Sequence, residues 1–319
     1  MARFDVTTIG EGQLRYSVPH GQWLERATHF DVSVTGTEAN VTSLLARLGW
    51  NCGWVTSLPT SPMGRRIAHE YGASGLDMSA VVWTDRFRVA TYYVEFAGPP
   101  KGTHVYYDRE NTGFVNMTCD DIDWDYMLDT RLVHISGLTV PLSPSVREIL
   151  DELVRRAKAQ GIPVSFDMNY RSRIWTPEAA AAGIEPFMQQ VDVLFFARGD
   201  AQRMYGIDGT PEEITRQIGE RSPAQTIITS LSRDGIVAWD RKQFYHQPTH
   251  KIDVLDRIGA GDAMVAGVLH GWLQGDLAKG LRYGALTAAL ALTHYGDAVI
   301  TDADQLETLL GAAHTDIVR

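Results

Sequence analysis

The sequence predicts an α/β fold: three layers, α/β/α, built on a mostly parallel sheet, with a small second β-sheet set against it as a lid. Three observations carry this expectation. Short apolar and β-branched runs alternate along the chain with stretches of helical periodicity. That rhythm gives parallel strands covered on both faces and joined by right-handed crossovers. Arg88–Phe96 and His104–Arg109, both rich in aromatic and β-branched residues, follow one another with no helix between them, so they stand outside the rhythm.

In chain order, Phe4–Ile9 reads as the first strand, Ala39–Leu48 as a helix, and Trp54–Ser57 as the end of a second strand. The out-of-rhythm segments read as a separate small sheet, with help from the chain after Gly10; its pieces span about 12–18, 30–36 and 86–110. A half-exposed sheet buries its apolar face on something, either a substrate beneath it or a partner subunit; an ordinary edge hairpin is the plainer alternative. Leu132–Ile135 is the next strand. Pro144–Gln160 is an amphipathic helix with Ile149, Leu150, Leu153, Val154 and Ala157 on one face, stopped by Gly161-Ile162-Pro163. Val164–Phe166 and Val193–Phe196 are buried-type strands with a helical stretch between them, and Thr226–Ile228 is another. From Ala263 the chain reads as mostly helical to its end. The 319 residues form a single domain whose ligand crevice is expected at the carboxyl ends of the parallel strands.

Composition excludes several classes. The net charge of -10 gives no electrostatic footprint for nucleic acid or an anionic membrane. Cys52 and Cys119 are not in a C-x-x-C pair, so neither a zinc site nor a disulfide framework is expected. No apolar run is long enough to span a bilayer, and the opening MARFDVTTIGEG has no secretory pattern, so a cytoplasmic protein is expected. Gly10-Glu11-Gly12 imitates the start of a dinucleotide-binding turn, but Tyr16-Ser17 follow in place of a third glycine and no helical pattern begins there.

The chemistry concentrates in Asp256-Arg257-Ile258-Gly259-Ala260-Gly261-Asp262-Ala263, which follows a β-like stretch and opens a helix rich in small residues. The first amides of a helix have no internal partner, and glycines let a ligand approach them. Those amides and the helix dipole make an anion site suited to a migrating phosphoryl group, with Gly259, Ala260 and Gly261 holding the developing charge. Asp262, at the start of the helix, is expected to stay ionised and to act as general base. The alternative is structural: Asp as an N-cap and Gly-Ala-Gly as a tight turn.

This segment resembles the D-x-x-G-A-G-D signature of the ribokinase-like (PfkB-type) carbohydrate kinase family. Thr35-Gly36-Thr37-Glu38-Ala39-Asn40-Val41 is similar to the family's G-G-x-x-x-N segment, and the resemblance runs from Ile9-Gly10-Glu11 to His294-Tyr295-Gly296-Asp297. Within the family, three stretches are similar to those of 2-keto-3-deoxygluconate kinases: Gly10-Glu11 with Leu14-Arg15, Val105–Arg109, and Phe166–Trp175. The resemblance implies ATP and Mg²⁺ as cofactors and a sugar acid held between sheet and lid. It implies that Gly36 and Asn40 hold hydroxyls, that Tyr92 and Tyr107 reach down from the lid, that Asn169 lines the site, and that Arg109 and Arg171 face the carboxylate. An arginine fork on a carboxylate is worth about 1.5–3 kcal/mol per charge-assisted contact, which suits such a substrate. Taken singly, Arg109 and Arg171 read equally as ion-pair partners of Asp108 and Asp167. Asp167 itself reads as a cap for the next turn, with no catalytic role.

Three positions depart from the family pattern. Where N-x-x-E is usual, this chain has Ala197-Arg198-Gly199-Asp200, which leaves Asp200 as a shorter magnesium ligand. Where K-x-G-x-x-G is usual, it has Ser230-Leu231-Ser232-Arg233-Asp234-Gly235. Thr35 replaces the first glycine of the N-terminal pair. ATP is therefore expected on Asp200, Ser230, Ser232, Arg233, Gly235, Gly259 and Gly261, with Arg233 either replacing the lysine's charge or lying solvated on the surface. The lid strands are expected to pair two subunits into a homodimer or higher homo-oligomer. A neutral-sugar kinase of the fructokinase or ribokinase type, and a catalytically impaired sugar-acid-binding regulator, are the competing expectations.

Overall fold

The computed structural model describes residues 2–98 and 100–311. The chain begins with β1 (Val6–Ile9), β2 (Gln13–Ser17), β3 (Asp31–Thr35), α1 (Thr37–Arg47), β4 (Cys52–Pro59), α2 (Pro62–Gly72) and β5 (Val81–Thr84). It continues through β6 (Ala90–Glu95), β7 (His104–Asp108), α3 (Trp124–Leu128), β8 (Val133–Ser136), α4 (Pro144–Ala159), β9 (Val164–Asp167) and α5 (Pro177–Met188). The last third holds β10 (Val193–Ala197), α6 (Arg198–Tyr205), α7 (Pro211–Glu220), β11 (Thr226–Ser230), β12 (Ile236–Trp239), β13 (Phe244–Gln247), α8 (Ala260–Leu273), α9 (Leu277–Leu292) and α10 (Ala303–Gly311).

Nine strands form the main sheet in the order β13-β12-β11-β10-β9-β8-β1-β4-β5. The seven from β11 to β5 are parallel, while β12 and β13 add an antiparallel edge that the alternating rhythm did not foretell. The order reverses between β1 and β8, so the crevice of the switch point opens beyond their carboxyl ends. Period-two alternation splits each central strand between two cores. Leu194, Phe196 and Ile227 pack with α3 to α7 on one face, and Val193, Phe195 and Ile228 pack with α1, α2, α8 and α9 on the other.

Local rules account for the helices. The Ser143 hydroxyl accepts from the Val146 amide at 3.1 Å and Pro144 opens α4, whose buried face carries the five residues of the expected stripe. The first strand starts at Val6 rather than Phe4, because Phe4 makes only an isolated bridge to Thr130. The expected helical C-terminal region is three helices; the part of that expectation beyond Gly311 lies outside the described residues. The small residues of α8 and α9 have a packing reason. A Cβ on Gly271 would lie 2.3 Å from the Gly280 backbone, so the two helices touch backbone to backbone.

Four strands, β3-β2-β6-β7, form the lid. The pairing of Arg15 with Tyr92 and of Tyr92 with Tyr107 puts those three side chains on one face, turned toward the main body. The other face carries Tyr16 and Tyr93, whose rings stack at 5.4 Å, together with Phe30 and Tyr106, which are 37% and 46% exposed. Among the described residues no helix is long and apolar enough to cross a membrane.

Candidate active site

Helix α8 begins where the sequence places the phosphate tier. Gly259 is its N-cap with φ 86°, a left-handed conformation, and an added Cβ would lie 2.4 Å from the Asp297 carbonyl oxygen. The first helical hydrogen bond runs from the Ala263 amide to the Gly259 carbonyl at 2.9 Å, so the amides of Ala260, Gly261 and Asp262 precede the helical ladder. Nothing lies within 4 Å of a Cβ built on Gly261. The tier therefore opens on a cleft instead of being covered by its own chain.

Two cavities meet at this tier. The first, about 450 Å³, lies between the lid and the carboxyl ends of β9, β10 and β11, and its walls include Tyr92, Tyr107, Arg109, Asn169, Arg171, Asp200, Gly259, Gly261 and Asp262. The second, about 540 Å³, lies on the other side of the α8 N-terminus and is walled by Ser230, Ser232, Arg233 and Gly235. Ser230, Arg257, Gly261 and Met264 belong to both. Asp200 and Gly259, expected on the nucleotide, line the lid-side cavity.

Asp262 is 6% exposed, and one of its oxygens accepts a 2.8 Å hydrogen bond from the Asn40 side-chain amide. Burial pushes its carboxyl up to about 8; the Asn40 hydrogen bond and Arg171 oppose the shift, while Asp167 and Asp297 add to it. The expectation that Asp262 stays ionised is thus corrected for the ligand-free protein: desolvation beside other carboxylates outweighs the position at the helix start. Asp167, set aside in the sequence as a cap, lines the same cavity and is pushed up to about 7 by burial, against the pull of Arg171. Asp200 is likewise raised by burial, although Arg203 donates to it at 2.7 Å.

The expected substrate residues separate into two groups. Tyr92, Tyr107, Arg109, Asn169 and Arg171 come together on the lid-side cavity, with Asn169 at φ 39° turning the chain after β9. Gly36 and Asn40 do not line it. The Asn40 side-chain carbonyl accepts from the Tyr71 hydroxyl at 2.8 Å and its amide donates to Asp262, so both ends of the side chain are engaged within the protein. Gly36 caps α1, and a Cβ there would meet the Glu11 carbonyl at 2.7 Å. The arginine pairings differ from the ion-pair alternative, in which Asp108 and Asp167 are the partners. Asp108 pairs with Arg88, at 2.8 Å through one of two contacts, and Arg109 pairs with Glu11. Among the described residues no carboxylate lies within ion-pair distance of Arg171.

Asp297 is the residue that sequence reading passed over. Its carboxylate accepts from Arg15 at 2.6 Å, from the Thr35 hydroxyl at 2.6 Å and from the Tyr92 hydroxyl at 2.7 Å, and it lines the lid-side cavity. Arg15, 1% exposed, also pairs with Asp256. Three lid strands, β2, β3 and β6, are thereby tied to the segment before α8 through the Asp297 carboxylate and the Arg15 guanidinium. The only sequence signal was that His294–Asp297 closes the family resemblance.

The nucleotide-side wall was only half visible in the sequence. Beside the expected residues it presents Lys251 and Arg257 as cations and Ala285, Ala288 and Leu292 of α9 as a flat apolar surface. Arg198 donates to Asp234 at 2.8 Å, so the two segments that depart from the family pattern are tied to each other. These residues fit a nucleotide, with an apolar wall for a base and cations for phosphates. They also fit magnesium, which keeps several waters and takes one or two carboxylates beside phosphates; Asp200 offers one, and no cage of three acidic, His or Cys ligands occurs among the described residues.

A helix start with free amides beside a buried carboxylate, where two cavities adjoin at the carboxyl edge of a parallel sheet, is an arrangement suited to binding and transferring an anionic group. The chain belongs to the pfkB family of carbohydrate kinases, whose pattern matches residues 9–304. It is 33% identical over 316 residues to a 2-dehydro-3-deoxygalactonokinase of Haloferax volcanii, covering 99% of each chain. The structure of a 2-dehydro-3-deoxygluconokinase from Thermotoga maritima superposes with a TM-score of 0.91 at 29% identity, over 97% of this chain and 100% of that one. A putative ribokinase II from E. coli, in complex with ATP and Mg²⁺, shares the fold with a TM-score of 0.87 at 20% identity, over 96% of this chain and 99% of that one.

Proposed function

We propose that this kinase transfers the γ-phosphoryl group of ATP to the terminal hydroxyl of a 2-keto-3-deoxy sugar acid, with 2-keto-3-deoxygluconate as substrate and its 6-phosphate as product. The observation that carries the substrate choice is the pair of guanidinium groups on the lid-side cavity: among the described residues Arg171 has no carboxylate within ion-pair distance, and neither terminal nitrogen of Arg109 has a hydrogen-bond partner. Two such forks on one carboxylate contribute on the order of 3–6 kcal/mol, or about 10²–10⁴ in affinity over a neutral sugar. Names of relatives in both the gluconate and galactonate series support the acid and leave the epimer to the assay.

The roles of the chain's own residues follow. Arg109 and Arg171 hold the carboxylate, while Tyr92 and Tyr107 cover the ligand from the lid and exclude water. The sugar's terminal hydroxyl lies against Asp262, which takes its proton; Asn40 and Arg171 favour the ionised carboxylate that this requires. The amides of Ala260, Gly261 and Asp262 hold the charge that develops on the transferring group. Ser230, Ser232, Arg233 and Gly235 receive the nucleotide with Arg257 and Lys251, and Asp200 holds magnesium. When bound, that ion neutralises phosphate charge and aligns the phosphates. The outer aromatic face of the lid suits pairing with a second copy, giving a homodimer, and the use of ATP fits a cytoplasmic location.

The test is an ADP-release assay with 2-keto-3-deoxygluconate, its galactonate epimer, fructose and ribose. A kcat/KM at least about 10²-fold higher for one of the acids is expected. Equal turnover of fructose would make it a neutral-sugar kinase. Binding of the acid without ADP release would make it a regulator.

A further inference from the structure

Glu11 has no place in the account above, yet it is 3% exposed and lies two residues beyond the end of β1, against the lid. One of its oxygens accepts from Arg109 Nε at 2.9 Å, and the other accepts from the Thr112 hydroxyl at 2.5 Å. Arg109 Nη2 also lies within ion-pair distance of the first oxygen, at 2.8 Å, while neither Nη1 nor Nη2, both buried, has a hydrogen-bond partner among the described residues. An arginine offers five N–H donors in a planar fork. Leaving its outer edge unmatched in a buried place is costly unless a ligand completes it. The Arg109 side chain is 9% exposed and lines the lid-side cavity.

We infer that Glu11 is a positioning residue for the sugar-acid carboxylate: by holding Arg109 through Nε it turns the free Nη1/Nη2 edge toward the substrate. This rests on the sugar-acid reading above. The geometry assigns each edge of the guanidinium a different carboxylate, Glu11 from the body of the protein and the substrate from the cavity. It also ties a lid arginine to the sheet, because Glu11 follows β1 and Arg109 follows β7. The loop that carries Glu11 is itself fixed. Gly10 has no room for a Cβ, since one would lie 2.2 Å from a Glu38 carboxylate oxygen, and the Thr139 hydroxyl donates to Glu38. Burial pushes Glu38 up to about 7, which lessens repulsion between it and Glu11 near neutral pH.

Two roles for Glu11 predict opposite signs. Its negative charge alone repels a second carboxylate, so a purely electrostatic role means tighter binding once that charge is removed. A positioning role means weaker binding when the acceptor is lost and recovery when a neutral acceptor is kept. Titration calorimetry of 2-keto-3-deoxygluconate and steady-state kinetics on the full-length protein separate them. Glu11→Ala is expected to raise Kd and KM for the acid by at least about tenfold with kcat within about twofold, and Glu11→Gln to recover to within about threefold of wild type. Should Glu11→Ala not fold, Thr112→Val frees one Glu11 oxygen and is expected to raise Kd by about threefold. In an Arg109→Leu background the Glu11 and Thr112 effects are expected to vanish. Tighter or unchanged binding in Glu11→Ala, or a Thr112→Val effect that persists without Arg109, overturns the inference. If wild type binds neither epimer of the acid, the substrate reading falls and takes this inference with it; if wild type binds and Glu11→Ala (or Thr112→Val where Glu11→Ala does not fold) binds equally well, only the inference falls.

Discussion

Replacing Asp262 by Asn tests the mechanism and the electrostatics of the site together. In the folded protein the Asp262 carboxyl is pushed by burial to about 8, whereas in the unfolded chain it ionises near 3.8. Between those values the folded state holds a proton that unfolding releases, so stability from this group is full below about pH 4 and is lost as pH rises through 8. The whole span is 4.2 pH units, and at 1.36 kcal/mol per unit it sets a ceiling of about 6 kcal/mol at pH 8 and above. Asn does not titrate and keeps an oxygen for the Asn40 amide. With about 2.1 cal/mol/K of unfolding entropy per residue over 319 residues, that ceiling corresponds to a Tm gain of about 9 °C. D262N is therefore expected to melt several degrees above wild type at pH 8, with the gain shrinking toward pH 4, while kcat falls by about 10²–10⁴. Wild-type kcat/KM is expected to climb about tenfold per pH unit until it levels near pH 8. Differential scanning calorimetry across pH and the ADP-release assay read the outcomes. A variant that melts at or below the wild-type temperature at pH 8 refutes the raised carboxyl, and one that keeps wild-type kcat removes Asp262 from proton transfer.

Other perturbations reach different parts of the site. R171L is expected to raise KM for the sugar acid by about 10- to 100-fold and to leave turnover of a neutral sugar unchanged, because only the acid uses the unpaired guanidinium. G259A forces a Cβ to within 2.4 Å of the Asp297 carbonyl at φ 86°, so a loss of about 2 kcal/mol or more in denaturant unfolding and a collapse of activity are expected. A288F fills the nucleotide-side wall; its KM for ATP should rise more than about tenfold while calorimetric affinity for the sugar acid stays put. D200N should raise the magnesium concentration needed for half-maximal activity, with ATP binding in EDTA little changed.

Elements and motif were legible for different reasons. The amphipathic face of α4 and the buried runs of β9, β10 and β11 follow from periodicity and came through within a residue or two. The lid was legible because Arg88–Phe96 and His104–Arg109 broke the rhythm. The β12–β13 hairpin was missed: each strand is only four residues, too short for a two-residue period to stand out. Among the expected site residues, some that line one cavity are also near one another in sequence. Gly259, Gly261 and Asp262 share a single turn, so their meaning is local.

The chain alone therefore determines the layered architecture, the glycine-rich start of α8 and the stock of tyrosines and arginines available to one cavity. Tertiary structure decides which of them meet. Glu11 reaches Arg109 across 98 positions, and Asp297 gathers Arg15, Thr35 and Tyr92 from as far as 282 positions away. It places the Asn40 side chain on Asp262, supplies the α9 wall of the second cavity, and raises Asp262 out of the ordinary carboxylate range. The physical reason is common to all of these. Backbone conformation and periodicity are set by neighbours along the chain, whereas desolvation and ion pairing depend on what folding brings alongside, and no local pattern encodes that.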